Sequence, residues 1–186
     1  MTREMRHRPR EALVAYVVKS FNDRTSNYLG RTAIQKICYF AQVLGVPMRL
    51  DFQIHHYGPF SETLWHMVDD FVVEEILRDR STDPEKYSNY GSGPRVKEVI
   101  AEHADIVKKH ASTIDTVVEA LKDLSPDKLE LLATVHYVAR TLKTTTGNTP
   151  RKAEVISKFK AFKGAKFDTS QIEGVCDVLA RANLIG

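Results

Sequence analysis

Residues 30–61 read GRTAIQKICYFAQVLGVPMRLDFQIHHYGPFS, and the fold is decided there. Ile34, Ile37, Cys38, Ala41 and Leu44 recur at helical spacing and predict one helix beginning at Arg31 or Thr32. Gly45 and Pro47 stop it, because glycine suits a helix C-terminus and proline cannot continue one. Leu50, Phe52 and Ile54 then alternate with period 2, the spacing of a strand half-buried on one face. Tyr57-Gly58-Pro59-Phe60 reads as a turn, and Ser61 stands where the next helix needs an N-cap. Tyr39 and Val43 fall on the side of the helix opposite its apolar stripe. A helix apolar on two sides is expected to be buried on both, which makes it central to its domain. The other reading leaves the Tyr39 side open to a partner.

Working outward, Leu13, Val14, Val17, Val18 and Phe21 predict a helix over 10–21, preceded by a basic, mobile arm over 1–9. The helix capped by Ser61 turns Leu64, Met67, Val68, Phe71 and Val72 inward, with Trp65 at the margin, and ends near Val73. Ile76 to Arg78 reads as a short strand, Thr82-Asp83-Pro84 as a turn and Lys86 to Tyr90 as the return strand. Gly91-Ser92-Gly93-Pro94 then breaks the chain. This order gives a mainly α fold with a small β-wing, a winged helix-turn-helix outline over 10–94.

From Val96 the apolar positions step 4, 3, 4, 3 through Ile100, His103, Val107, His110, Ile114, Val117, Leu121 and Leu124. This repeat predicts one long connecting helix over 95–124, with a restart at Ser112 and Asp115 as the alternative. Its seam has two candidate occupants, the winged domain or a second subunit in a homodimer. Ser125-Pro126, Thr149-Pro150 and the Asp168/Gln171 capping box each start a helix, so 125–186 reads as a three-helix subdomain.

Composition is that of an ordinary soluble protein: 186 residues, 42% hydrophobic and 27% charged. No apolar run is long enough to span a bilayer, and the basic N-terminus has no apolar core behind it, so no membrane association and a cytoplasmic location are expected. Cys38 and Cys176 lie on apolar stripes and read as buried free thiols. The net charge of +3 is small, but it is unevenly spread. Residues 61–77 hold Glu62, Asp69, Asp70, Glu74 and Glu75 with no Lys or Arg, whereas 140–166 hold eight basic residues against Glu154.

No catalytic motif stands out. There is no G-x-S-x-G, phosphate loop or G-x-G-x-x-G, and Asp69 and Asp70 diverge by about 100° on a helix. His55 and His56, as strand neighbours, point to opposite faces, and with His66 they do not make a metal site. The residues predict no metal, no cofactor and no enzyme. For DNA, a groove-reading helix over 61–73 would present Glu62, His66, Asp69 and Asp70 to phosphates, which repel them. The basic segment with Arg151, Lys158, Lys160 and Lys163 is the better nucleic-acid candidate, and a solvated basic face is the simpler reading. Protein binding remains. Tyr39, Tyr57, Gly58, Pro59 and Trp65 cluster around the turn, and Asp69 and Asp70 offer a basic partner charge complementarity.

IQKICYFAQ, an F-x-I strand, and YGPFS before an amphipathic helix, in this order, resemble the Panacea (SocA-like) antitoxin domain, and YwgA-type relatives share the same core. The resemblance is strongest over residues 10–95. It implies a non-catalytic protein-binding module that neutralises a toxin, its partner surface including the YGPFS region and the acidic helix. The alternative is a winged-helix DNA-binding regulator using the basic C-terminal helices. The helical tail of roughly 60 residues is closer to the YwgA type.

Overall fold

The computed structural model describes residues 7–84 and 86–186, so the expected basic arm falls, over residues 1–6, outside the described residues. In chain order the elements are α1 (Pro9–Arg24), α2 (Arg31–Val43), β1 (Gln53–His55), β2 (Gly58–Phe60), α3 (Glu62–Val73), β3 (Leu77–Asp79), β4 (Tyr90–Ser92), α4 (Val96–Glu102), α5 (Ala104–Leu121), α6 (Pro126–Thr146), α7 (Lys152–Lys163) and α8 (Thr169–Arg181). The fold is mainly helical, with two small antiparallel sheets, β1–β2 and β3–β4.

The chain forms two compact units. Of the described residues, the first comprises 7–52, 61–84 and 86–124, and the second 53–60 and 125–186. The β1–β2 hairpin therefore belongs with the C-terminal helices, although the sequence reading assigns it to the N-terminal domain. A pair of three-residue strands is marginal alone and takes its stability from what it packs against. In the second unit that support is α6, with Gly58 and Pro59 buried.

In the first unit α2 is buried on both sides, as its two apolar faces predict: Ile34, Ile37, Cys38 and Ala41 on one and Tyr39 on the other. Helix α1 packs against α4 and α5, and α2 also meets α5. Tyr16 and Ser20 of α1 donate to Asp115 of α5 at 3.1 and 2.7 Å, and Arg24 pairs with the same carboxylate at 2.9 Å. Asp115 thus lies mid-helix and starts nothing. The expected single helix over 95–124 is two helices, and the break is at His103 rather than Ser112. His103 leaves helical geometry (φ −131°, ψ 40°), and its Nε2 donates to the His7 carbonyl at 2.7 Å. The heptad seam is filled from within the chain: Val96, Val107, Ile114, Val117 and Leu121 are buried where α4 and α5 meet α1 and α2. A homodimer through this seam loses its surface, because the chain supplies its own facing helices.

The arm expectation also changes at residues 7–9. His7 is buried and Pro9 opens α1. The expected strand over 50–54 is shorter than its pattern. Val46, Met48 and Leu50 alternate inward, but only Gln53–His55 pairs in a sheet. The return strand is displaced from Lys86–Tyr90 to Tyr90–Ser92. Gly93 follows because a Cβ there would lie 2.2 Å from the Glu75 carbonyl oxygen.

Two of the three predicted helix starts in the second unit hold, and the third moves: α7 opens at Lys152 with Arg151 as its N-cap, whose amide is taken by Glu154, not at Thr149-Pro150. Ser125 caps α6 by accepting from the Lys128 amide at 3.4 Å, and Asp168 caps α8 by accepting from the Gln171 amide at 2.8 Å. Gly147, at φ 73°, ends α6 in the left-handed region that glycine enters without strain.

Candidate protein-binding surface

Helix α3 carries the acidic residues singled out by sequence, and α2 sets its start. Ser61 Oγ accepts from the Leu64 amide at 3.3 Å. The Gln35 amide group clamps the same residue from both sides, donating to the Ser61 carbonyl and accepting from the Ser61 amide, each at 2.9 Å. Seven residues later on α2, Gln42 does the same for Leu50, at 2.8 and 2.7 Å. A primary amide offers one donor and one acceptor side by side, as a strand neighbour does. These two glutamines therefore satisfy the backbone where the chain leaves for the hairpin and where it returns. The sequence reading missed both. Their signal is the seven-residue spacing, which puts two polar amides on one face of a helix otherwise buried.

Trp65 stands 38% exposed with the Arg31 guanidinium 4.1 Å over its ring. The same guanidinium lies 5.4 Å from the Tyr90 ring and is ion-paired with Asp69. Arg31 thus props Trp65 and partly neutralises Asp69, while Asp70 is exposed. A cation held over an indole contributes roughly 0.5–2 kcal/mol and fixes ring orientation. Tyr39 is different. It is 3% exposed, edge-on to Phe40 at 5.2 Å and Phe52 at 5.3 Å, so it is a core residue and not a contact for a partner.

In the second unit Tyr57 is 59% exposed at the hairpin tip, whereas Gly58 and Pro59 are buried. The tip is tied down by Lys163, whose Nζ donates to the His56 carbonyl and lies 2.9 Å from Glu130 Oε1. Lys166 donates to the other Glu130 oxygen at 2.8 Å and lies 5.8 Å from the Tyr57 ring. The Lys163 and Glu130 side chains are 5% and 2% exposed. A lysine so buried and paired does not reach a phosphate, which removes Lys163 from the nucleic-acid candidates. Among the others, Arg151 pairs with Glu154 at 3.1 Å, Lys160 donates to Thr169 Oγ1, and Lys158 lies 5.2 Å from the Phe162 ring. All three are exposed.

Each unit buries one histidine. His7 donates through Nε2 to Glu74 at 2.8 Å and through Nδ1 to Glu102 at 3.1 Å. Burial lowers its pKa, but the hydrogen bonds and charges of Glu74 and Glu102 more than offset this, and the net shift is upward. For His136 burial, with the charge of Arg140 beside it, pushes the pKa down to about 4. The two thiols are buried and free, and burial raises both. No described helix is long and apolar enough to cross a membrane.

No family model matches the chain. A stretch of 125 residues is 30% identical to a DNA ADP-ribosyl glycohydrolase of Thermus aquaticus, covering 60% of this chain and 31% of that protein. A stretch of 124 residues is 25% identical to the uncharacterized protein YwgA of Bacillus subtilis, covering 66% of this chain and 72% of that protein. The chain thus spans about a third of the length of the glycohydrolase it matches. The likeness to an enzyme corrects the expectation that this chain is no enzyme: absent motifs exclude only the reactions those motifs serve. The family resemblance reduces to a distant similarity to YwgA.

Proposed function

We propose that this chain is a protein-binding module of the antitoxin-like kind that takes a basic protein, a toxin, on the outer face of α3. The observation carrying this reading is Trp65, large, exposed and held by Arg31, on a helix whose exposed residues include the acidic Glu62 and Asp70. Aromatic anchors with fixed rotamers bind at low entropic cost, and flanking charge selects the partner. With it we propose a Panacea-like domain with a winged-helix outline, supported by IQKICYFAQ and YGPFS and by the order α2, α3, β3, β4. Tyr57, on the separately held hairpin, is a second candidate contact. Co-expression with the protein encoded beside this gene tests it. Co-purification and restored growth are expected, with Trp65→Ala and Asp70→Lys each weakening binding by about tenfold or more. Absence of both rescue and co-purification would overturn it.

The glycohydrolase likeness favours a second reading, in which the chain takes part in removing ADP-ribosyl groups from DNA. Release of ADP-ribose from a modified oligonucleotide by the purified chain would establish it, and no release would count against it. A DNA-binding regulator using Arg151, Lys158 and Lys160 predicts duplex affinity that falls steeply with salt and is lost on reversing those charges. A mobility shift indifferent to both would remove that alternative.

A further inference from the structure

His7 precedes α1 and meets two other elements of the first unit. Its amide donates to Glu102 Oε2 at 3.1 Å, its Nδ1 lies 3.1 Å from Glu102 Oε1, and its Nε2 lies 2.8 Å from Glu74 Oε2. Its carbonyl accepts from His103 Nε2 at the break between α4 and α5. The ring is buried, whereas solvent already reaches the Glu74 and Glu102 side chains, 25% and 27% exposed. A neutral imidazole carries one N–H, so a carboxylate on each ring nitrogen is satisfied only by the imidazolium. Loss of the proton turns a nitrogen lone pair toward a carboxylate oxygen, and that contact becomes repulsive.

The other charges around the ring do not replace that proton. Among the described residues only His7 donates to the Glu74 or Glu102 carboxylate. Arg95, at the start of α4, donates to the Glu98 carboxylate and to the Glu74 carbonyl instead. The charges of Arg95 and Glu98 reach the cluster from the α4 side. Arg8, Arg10 and Glu11 from the start of α1, and His66 and Asp70 from α3, border the same groove as His7 and Glu74. His103 donates to a carbonyl, and an imidazole keeps an N–H for that in either charge state.

We propose that His7 is a proton-operated latch: protonated, it fastens the chain entering α1 to the ends of both α3 and α4, and deprotonated, it releases them. On release His7 and Arg8 leave their places, and the two carboxylates turn to the solvent that already reaches them. The latch is closed at low pH and opens as pH rises through the ring's titration. It requires no partner, so it stands whether or not α3 binds one.

The test follows the full chain by NMR from about pH 5.5 to about pH 9. The His7 ring shifts report its proton, and carbon relaxation at the His7 Cα reports its mobility. The ring is expected to titrate above about 6.5, and the Cα order parameter to fall from about 0.85 to below about 0.6 through the same midpoint. Glu102→Gln keeps the size of the side chain and an acceptor but removes one charge. It should lower both midpoints together by at least about half a pH unit. A ring that titrates below about 6.5, or that loses its proton while the order parameter stays high, would overturn the latch. Unchanged midpoints in Glu102→Gln would overturn it as well.

Discussion

His7 in the first unit and His136 in the second are both buried, yet their surroundings favour opposite charge states. His7 has a carboxylate at each ring nitrogen, and those contacts more than offset the burial that would otherwise neutralise it. His136 has the Arg140 charge near it, which adds to the effect of burial, so the neutral form prevails. Depth alone does not set the charge of a histidine. The neighbours decide, and they also decide how each unit responds to pH.

The largest effect that would break this contrast lies in the second unit's own buried charges. Glu130→Ala leaves Lys163 buried and unpaired and removes one partner of Lys166. Loss of about 3–5 kcal/mol is expected in chemical denaturation followed by a probe in α6 or α7. A loss below about 1 kcal/mol would mean that water readily replaces the carboxylate.

The histidines themselves give the intermediate effect, with opposite signs. His136 is depressed in the folded state, so its unit is fully stable above the ordinary histidine pKa near 6.5. It loses up to about 3 kcal/mol as pH falls toward 4, because the unfolded chain then binds the additional proton. His7 is raised. Its contribution is fully present below about 6.5 and is lost as pH rises through its folded value. Native-state hydrogen exchange, corrected for intrinsic rates, should show α6 weaker at pH 5 than at pH 8 and the start of α1 stronger. The same sign in both units would refute the contrast.

The smallest effect sharpens the account of α3. Trp65 is the one tryptophan in the chain, so its fluorescence reports this surface alone. Arg31→Ala should red-shift its emission and cost about 1 kcal/mol, with the second unit unaffected. Unchanged emission would show that the guanidinium does not hold the ring.

Local signals already settled most of the helices and several of their ends. The α2 stripe, the Ser61, Ser125 and Asp168 caps and the stop at Gly45 are visible as spacing and residue type, because each acts through neighbours a few residues away. The acidic character of α3 and the prominence of Trp65 and Tyr57 were equally legible. Tertiary packing alone decided the rest. Tyr39 is core because Phe40 and Phe52 close over it, and Lys163 leaves the solvent because Glu130 lies thirty-three positions earlier on another helix. His103 breaks a heptad that runs on in the sequence, since its ring bonds to the backbone of His7. The YGPF hairpin, which follows α2 directly in the chain, joins the unit built from residues 125–186 because the apolar cover for its short strands is there. Periodicity reports which face of an element is buried; the partner that buries it is a long-range fact, and no local spacing encodes it.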